Sequence, residues 1–512
     1  MYIEPNTNIR ILKNIPLNND YLNTLYWSNK NNQTNYFISK TKYNLTKQSF
    51  QRRENGVCRV EVDIGGLYDC NYIMFQNPSF SNKWFYAFIT NVEYLNNNNS
   101  LIRFEIDDMQ TWYFDWSFGN CFIERQHTKS DNIGSNLVPE NLELGEYVLR
   151  PPKSTNFTND YKICVAATFK VNWDSAGVAI LSLEDSAGGT YNGVYSGLYL
   201  NYVDSGEKVN TILNFASAPT VNKLDGIVSI FMLPTDFALQ PNEDAKYITL
   251  SIDKNTDNLD GYTPRNKKLF TYPYCYIYAT DLNGNINEYR YEDFSTSPAQ
   301  FVVRGDTSCN PTAMMYPLNY RGVVNNYTEQ MTLSGFPQCS YNTDFFKAWL
   351  SQNAGNIATG IVTGVGGLAL GVSSGQAEMA LNGAGRIANI IVDTGKATQK
   401  SREYHGGNSS NNLLWANKLV NFYLYPTTIK YEFAKIIDDY FTCYGYAIHE
   451  VDKPSTHNRK RWTYLKTVDC QLVNTSLPAD ACKHIKTIID NGITFWVNAD
   501  DVGKYYLDNE VL

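Results

Sequence analysis

The sequence predicts a mainly β protein with α+β parts, and three observations support this fold class. The chain holds 38 Tyr and 25 Phe among its 512 residues, and both residue types favour the pleated surface of a sheet. Short runs of alternating polar and apolar residues, separated by polar turns, recur through the first part of the chain. The final segment instead alternates helix-like with strand-like patterns.

The N-terminal part predicts a hairpin next to a covered strand. In NVEYL and LIRFEID polar and apolar residues alternate, and the Asn-rich residues 96–100 between them supply a turn. The preceding NKWFYAFIT is almost continuously apolar, which is typical of a strand covered on both faces. We interpret Trp112 and Trp116, which follow, as packing residues, with ligand stacking as the alternative.

The middle of the chain predicts a separate mixed region. The strand candidates there are CVAATFKV, GVAILSL, IVSIFMLP and KYITLSI, and EKVNTILNFA is predicted as a short helix. A turn from Asp281 to Gly284 then separates two alternating strands, as in a hairpin.

The last hundred or so residues predict two amphipathic helices with strands between and after them. The first helix places one apolar stripe inward, formed by Phe433, Ile436, Ile437, Tyr440 and Phe441. Asp438 and Asp439 on the same helix are interpreted as a solvated edge, because neighbouring residues on a helix point in different directions. The second helix begins at Pro478 and turns three isoleucines inward, Ile485, Ile488 and Ile489. WTYLKTVDCQLV and ITFWV are the strand candidates.

Composition narrows the function classes. The net charge is −8, and no long block of Lys or Arg is present, which argues against a sequence-specific nucleic-acid binder. The N-terminal MYIEPNTNIRIL lacks the basic and apolar regions of a secretory signal. We therefore expect the ten cysteines to be reduced thiols.

No metal or cofactor is expected, because the histidines and cysteines lack the close spacing of a ligand cluster. We interpret all five histidines as ordinary surface or partly buried residues: His127, His405, His449, His457 and His484.

Motifs for catalysis occur only outside their proper context, so we expect no enzymatic activity and no catalytic residue. GVSSG fits the GxSxG pattern with Ser373 as nucleophile, but it lacks the strand before it and the helix after it. GAGRIA, residues 383–388, matches a dinucleotide-binding pattern equally weakly. Asp107 and Asp108 are adjacent acidic residues, but spacing along the chain does not show whether two carboxylates have the distance in space that a catalytic pair needs. The basic run HNRKR, residues 457–461, is interpreted as a solvated loop, with contact to phosphate or an anionic partner as the alternative.

The uncharged, glycine-rich stretch NIATGIVTGVGGLALGV, from Asn356 to Val372, predicts a membrane-active loop over about residues 354–392. A helix of this length measures roughly 26 Å, close to the span of a hydrocarbon core. Its glycines recur four residues apart, a spacing that lets membrane helices approach closely. The predicted membrane-active residues are Ile357, Gly360, Ile361, Val362, Gly364, Val365, Gly367, Leu368, Leu370, Gly371, Val372, Ile387, Ile390 and Ile391. A buried core hairpin, a permanent transmembrane anchor and a disordered linker are the alternatives.

Several long segments resemble the distal tail tube, or tail knob, proteins of small short-tailed (podovirus, picovirus-type) phages of Gram-positive bacteria. The segments that carry the resemblance are NYIMFQNPSFSNKWFYAFITNVEYL, FEIDDMQTWYFDWSF, FIERQH, KKLFTYPYCYIYATDLNGN, LSGFPQCSYNTDFFKAWLSQN, KTVDC and TIIDNGITFWV. They run nearly from end to end of the chain, and residues 134–255 match only loosely.

The resemblance implies β-barrel domains like those of tail tubes and baseplate hubs, assembled as a hexameric ring with a long glycine-rich hydrophobic loop. The implied organisation is an N-terminal β-rich tube-wall domain at 1–132, an inserted mixed region at 133–345, the glycine-rich loop at 346–410 and a C-terminal α+β segment at 411–512.

The resemblance also implies a function at the distal end of the virion tail, in a protein made in the host cytoplasm. The tube conducts double-stranded DNA without sequence-specific binding, and the loop plugs it until it inserts into the host membrane as a pore. The implied partners are further copies of the chain in a homo-hexamer, the lower collar or tail connector protein, the host membrane and the passing DNA. The alternatives are a receptor-binding tail adhesin and a tail-associated cell-wall hydrolase.

Overall fold

The computed structural model divides the chain into two compact units. The first unit contains residues 1–146, 257–270 and 430–512, and the second contains 147–256 and 271–429. The residues that the structure describes are 6–48, 56–155, 157, 161–173, 179–182, 190–191, 194–195, 197, 199–203, 208, 211–212, 215–216, 226–237, 247–282, 284–306, 312–334, 338–340, 421–473 and 475–512.

The N-terminal part of the first unit forms an antiparallel sheet. Its strands and helices are β1 (Thr7–Lys13), β2 (Asn23–Leu25), α1 (Lys30–Ser39), β3 (Thr41–Gln48), β4 (Val57–Val60), β5 (Cys70–Gln76), β6 (Phe85–Asn96), β7 (Asn99–Ile106), α2 (Asp108–Thr111), β8 (Ser117–Phe118) and β9 (Cys121–Gln126). The sheet runs in the order β3-β1-β5-β6-β7-β4.

The predicted hairpin is confirmed, because β6 pairs antiparallel with β7 and the chain turns between Asn96 and Asn99. The four residues Phe85–Phe88 are all buried, so this part of β6 is covered on both faces as predicted. Trp112 is also buried and meets Phe85 edge-on at a ring-centroid distance of 6.0 Å, which confirms its packing role.

The second unit is built from further β-sheets. Its strands are β10 (Tyr147–Leu149), β11 (Lys153–Ser154), β12 (Tyr161–Ala167), β13 (Lys170–Trp173), β14 (Ala179–Ser182), β15 (Thr190–Tyr191), β16 (Val194–Tyr195), β17 (Tyr199–Val203), β18 (Ile227–Pro234), β19 (Tyr247–Ile252), β20 (Cys275–Thr280), β21 (Ile286–Tyr289), β22 (Ala299–Asp306), β23 (Thr312–Tyr320), β24 (Val323–Asn325), β25 (Met331–Ser334), β26 (Gln338–Ser340) and β27 (Tyr423–Ile429). The main sheets run β10-β27-β20-β21, β17-β12-β18-β26 and β19-β22-β23-β24. The predicted hairpin around Asp281 is confirmed as β20 and β21, while the predicted helix at 207–216 lies partly outside the described residues.

The C-terminal part returns to the first unit. It comprises α3 (Tyr431–Tyr444), β28 (Tyr446–Asp452), β29 (Trp462–Val468), β30 (Leu472–Val473), α4 (Ala479–Asn491) and β31 (Ile493–Trp496). A sheet in the order β2-β31-β29-β9-β28 interleaves strands from both ends of the chain. One hydrophobic core therefore joins the two ends, because Ile11 and Phe88 belong to the same buried cluster as Ile485 and Trp496.

The two predicted C-terminal helices are confirmed, with one correction to the inward stripe of α3. Ile437 and Phe441 are buried, but Ile436 is 66% exposed. The buried face of α3 instead includes two polar residues, Asp438 and Thr442. Helix α4 buries all three predicted isoleucines as well as Ala481.

Candidate functional site

An acidic pair and a histidine meet where α2 contacts α4 in the first unit. Asp107 caps α2 by accepting a hydrogen bond from the backbone N–H of Gln110 at 3.0 Å. Its second carboxylate oxygen accepts one from the hydroxyl of Tyr72 at 2.8 Å. The next residue, Asp108, lies 2.7 Å from the Nδ1 atom of His484 on α4. The tertiary fold thus places an imidazole next to one of two consecutive carboxylates.

Burial is the main cause of the pKa shifts in this cluster. Asp107 is 1% exposed, and burial raises the pKa of its carboxyl group to about 7 despite the hydrogen bonds from Gln110 and Tyr72. Burial also raises the pKa of Tyr72 well above its usual value. Because the oxygens of Asp107 bind groups of the protein itself, the arrangement serves to hold the turn into α2 in place.

A second buried carboxylate, Glu140, joins all three chain segments of the first unit. Its Oε1 atom accepts hydrogen bonds from Lys268 Nζ at 2.6 Å and from the backbone N–H of Ala447 at 2.9 Å. Its Oε2 atom pairs with the guanidinium group of Arg125. The side chains of Glu140 and Lys268 are 1% and 3% exposed, and burial lowers the pKa of Lys268. The carboxylate is thus a buried link between segments that are distant in sequence.

Asp438 forms a similar link, and its predicted position at a solvated helix edge is wrong. It is fully buried on α3 and accepts hydrogen bonds from the Tyr262 hydroxyl at 2.7 Å and from the backbone N–H groups of Arg265 and Asn266, each at 2.9 Å. Asp439, whose side chain is 54% exposed, does occupy the predicted edge. The crossing segment 257–270 supplies these donors, so a carboxylate can be buried there.

His127 also differs from its prediction as a surface or partly buried residue, because it is only 3% exposed. Its Nδ1 atom accepts the backbone N–H of Tyr464 at 2.8 Å, which leaves the proton on Nε2 to be donated to the Thr442 carbonyl at 3.2 Å. Burial, and next the charge of Arg459, lower the pKa of His127 to about 3. His127 is therefore neutral and structural. Three other histidines are exposed or half-buried as predicted: His449, His457 and His484.

The basic run 457–461 is not simply a solvated loop. Arg459 is 5% exposed, and its guanidinium group lies 3.8 Å from the carboxylate of Asp131. The neighbouring cations are matched by acidic residues of the same unit, in the pairs Lys460–Glu510 and Arg461–Asp501. The chain thus compensates much of the positive charge of this run internally.

The predicted membrane-active loop at 354–392 lies outside the described residues. So do Ser373, the glycine pattern at 383–388 and His405. These interpretations therefore stay predictions.

Among the helices that the structure describes, none has the length and apolar character needed to cross a membrane. Within the same part of the chain, no three or more His, Cys, Asp or Glu residues are grouped so as to hold a metal ion.

The fold and these contacts together define a β-rich protein whose buried polar groups join distant segments of the first unit. Residues 240–510 match the family model of the C-terminal domain of the tail knob protein gp9 of Bacillus phage phi29. Residues 5–117 match the model of the N-terminus of the caudoviral major tail protein. The chain belongs to the phage tail knob protein family, and it is a structural component of the virion tail.

Full-length relatives agree with this family. The tail knob protein gp9 of Bacillus phage PZA is 28% identical over an alignment of 599 positions, which covers 99% of this chain and 98% of the relative. The tail knob protein gp9 of phage phi29 is 27% identical with the same coverage. The structure of the bacteriophage C1 tail knob protein gp12 superimposes with a TM-score of 0.66 at 15% identity, over 99% of this chain and 100% of that one. The predicted family and the mainly β fold are confirmed.

Sequence reasoning missed the residues that link the segments of the first unit. Glu140 lies in a polar stretch without regular structure, and its partner Lys268 follows another lysine in KKLF. Neither shows periodicity or motif spacing, so no local signal distinguishes these buried ions from surface charges.

Proposed function

We propose that this chain forms the distal tail tube, or knob, as a homo-hexameric ring that continues the conduit of a lower collar or tail connector protein. The proposal is carried by the way the two matched regions meet. Strand β2 lies in the region similar to the major tail protein, β31 lies in the region similar to the tail knob protein, and the two strands pair in parallel. One wall built from both regions suits a tube subunit.

The proposed cargo of the tube is double-stranded DNA, which passes without sequence-specific binding. Each Lys or Arg contact to a phosphate adds salt-dependent affinity and would slow the movement of the duplex. The net charge of −8 and the internal pairing of the basic run 457–461 support a conduit that holds DNA weakly.

The second part of the proposal concerns the glycine-rich loop at about residues 354–392. The loop plugs the tube before ejection and then inserts into the host membrane, where copies from the subunits line a pore. Its support is the sequence from Asn356 to Val372, which is free of charge and would span roughly 26 Å as a helix. Repeated glycines keep this segment from settling into one stable helix in water.

Electron microscopy of the purified protein tests the assembly. We expect six-fold rings or tubes in negative-stain images and a matching mass in solution. A protein that stays monomeric at high concentration and shows no rings contradicts the proposal.

Dye release from liposomes tests the membrane loop. We expect leakage with the intact protein and none after deletion of residues 354–392 from protein that still assembles. The substitution Leu368→Lys should reduce leakage because it places a charge within the apolar run, whereas Gln399→Lys, which lies outside residues 354–392, serves as the control. A deletion that unfolds the protein would identify the segment as core.

One observation favours a receptor-binding role as the second candidate. In the second unit, Tyr278 pairs with Tyr425 across β20 and β27, and strand alternation places Tyr423 and the buried Tyr276 on the same face of the sheet. Tyr147 on this face is 37% exposed. Aromatic faces of this kind can stack on sugars, so binding of the protein to whole cells, lost on Tyr278→Ala with ring assembly intact, would support an adhesin.

A further inference from the structure

Strand pairing brings together two cysteines of the first unit, one from its N-terminal segment and one from its C-terminal segment. Cys121 begins β9, and Cys470 lies in the short connection between β29 and β30. Antiparallel pairs flank the two cysteines on both sides, Phe122 with Val468 and Phe118 with Leu472. The connection is held further by a hydrogen bond of 2.8 Å from the Gly119 N–H to the Gln471 carbonyl. This register places Cys121 opposite Asp469 and Cys470 opposite Asn120, so the two cysteines are diagonal neighbours across the paired segments.

The two thiols influence each other: Cys470 is among the groups that lower the pKa of Cys121, and the charge of Cys121 is among those that raise the pKa of Cys470. Both cysteines are free thiols and buried, with exposures of 4% for Cys121 and 0% for Cys470. The backbone N–H of Cys470 is bonded to the carboxylate of Asp490 on α4 at 3.0 Å, which fixes this end of the pair.

We propose that Cys121 and Cys470 are a dithiol site that becomes a disulfide when the assembled virion tail moves from the reducing host interior to oxidising surroundings. Disulfides persist on virion surfaces and are rare in the cytosol, where thiols are kept reduced. The inference does not depend on ring formation or membrane insertion, because it needs only that the protein leaves the cell as part of the tail.

The oxidant is a small-molecule disulfide such as oxidised glutathione. The Cys121 thiol loses its proton, and the thiolate attacks one sulfur of the oxidant, which releases one reduced thiol and leaves a mixed disulfide. The Cys470 thiol then loses its proton, and its thiolate attacks the Cys121 sulfur and releases the second reduced thiol. Two protein thiols and one small disulfide thus give one protein disulfide and two small thiols.

The buried surroundings of the two thiols indicate that the folded protein is oxidised slowly. They also indicate which of the two thiols attacks the oxidant first. Burial raises the pKa of the Cys470 thiol to about 12, with the charges of nearby groups adding smaller effects. Burial also raises the pKa of Cys121, but a hydrogen bond from the Gln471 backbone, and a smaller one from Cys470, stabilise its thiolate. Cys121 is therefore the first nucleophile, and exposure to the oxidant during folding or transient opening sets the rate.

The disulfide would cross-link the two ends of the chain within the first unit. A bond that closes so long a loop strongly restricts the unfolded chain, which is the main source of disulfide stabilisation in the chain-entropy model. We expect the melting temperature of the oxidised protein to exceed that of the reduced protein by about 5 to 10 °C.

The test compares the full chain purified from cells with a reducing cytosol with the same chain produced in cells whose cytosol is oxidising. In the oxidising cells the thiols meet the oxidant while the chain folds, so their burial in the folded state does not block the reaction. Free thiols are counted by alkylation in denaturant, and cross-linked peptides are identified by mass spectrometry. We expect a peptide pair joining Cys121 to Cys470, the loss of two free thiols, and a rise in melting temperature that a reductant reverses.

The variants Cys121→Ser and Cys470→Ser should each lose the cross-link and the redox-dependent shift, whereas Cys482→Ser on α4 should keep both. Comparing each variant with itself, oxidised against reduced, separates this effect from any general loss of stability. Both thiols remaining free after oxidative production, a cross-link at other cysteines, or a 121–470 cross-link that lowers the melting temperature would each overturn the proposal.

Discussion

Asp108 and His484 are 376 positions apart in sequence, yet a carboxylate oxygen of the first lies 2.7 Å from Nδ1 of the second. The same imidazole meets the ring of Tyr21 edge-on, with a centroid distance of 5.2 Å. The contact ties α2, which follows the N-terminal sheet, to α4 near the C-terminus. The cluster around it makes the stability of the first unit sensitive to pH.

Replacing Asp107, the neighbour of Asp108, should change this pH dependence. Burial raises the pKa of Asp107 to about 7, above its usual value of 3.8, so the folded state holds the proton more tightly than the unfolded state. Its contribution to the free energy of unfolding is therefore largest below about pH 4 and is lost as pH rises to about 7, by about 1.4 kcal/mol per unit of pKa shift. Asp107→Asn can still cap α2 and should gain stability relative to the wild type across this range.

Urea unfolding at several pH values measures the effect. The control is Asp63→Asn, which alters an exposed capping aspartate and should leave the pH slope unchanged. Parallel curves for the wild type and Asp107→Asn would show that the carboxyl group does not titrate in this range.

Glu140→Gln should be strongly destabilising. The substitution leaves the cations of Arg125 and Lys268 buried without their shared anion, and breaking a buried ion pair costs about 3 to 5 kcal/mol. The exposed Glu143 in the same stretch provides the matched control, Glu143→Gln, which should change the free energy of unfolding by less than about 0.5 kcal/mol. A loss below about 1 kcal/mol for Glu140→Gln in chemical denaturation would rule out its role as a link.

Two consecutive aspartates on α3 should respond very differently to the same change. Asp438→Asn presents an amide N–H₂ to a cluster of hydrogen-bond donors and should lower the free energy of unfolding by about 3 kcal/mol. Asp439→Asn removes only a partly exposed pair with Arg265 and should cost less than about 1 kcal/mol. Equal losses in calorimetry would contradict the assignment of Asp438 as the buried partner of segment 257–270.

Gly445 should tolerate no side chain. It ends α3 with φ of +65° and ψ of −152°, and a Cβ atom there would lie 2.5 Å from the backbone of Gln126 and His127. We expect Gly445→Ala to give little soluble folded protein. Gly503 also has a positive φ, +80°, but has open space around it, so Gly503→Ala should cost only about 1 kcal/mol. Similar yields and melting curves for the two variants would be inconsistent with this packing.

The local sequence pattern was enough to predict those strands and helices whose structure depends mainly on residues close by in sequence. The alternation in LIRFEID predicted β7, and the spacing of Ile485, Ile488 and Ile489 predicted the buried face of α4, because burial there follows the period of the backbone. The long idiosyncratic segments also identified the tail knob family.

The sequence by itself thus determined the mainly β class, the hairpin of β6 and β7, the two C-terminal helices and the family. Only the tertiary structure decided which charged residues are buried. Asp438 and Asp439 are indistinguishable by composition and spacing, and Ile436 is as apolar as Ile437. Asp438 is buried because segment 257–270 supplies the hydrogen-bond donors that make a buried carboxylate stable. A contact between residues so far apart in sequence leaves no local pattern to detect.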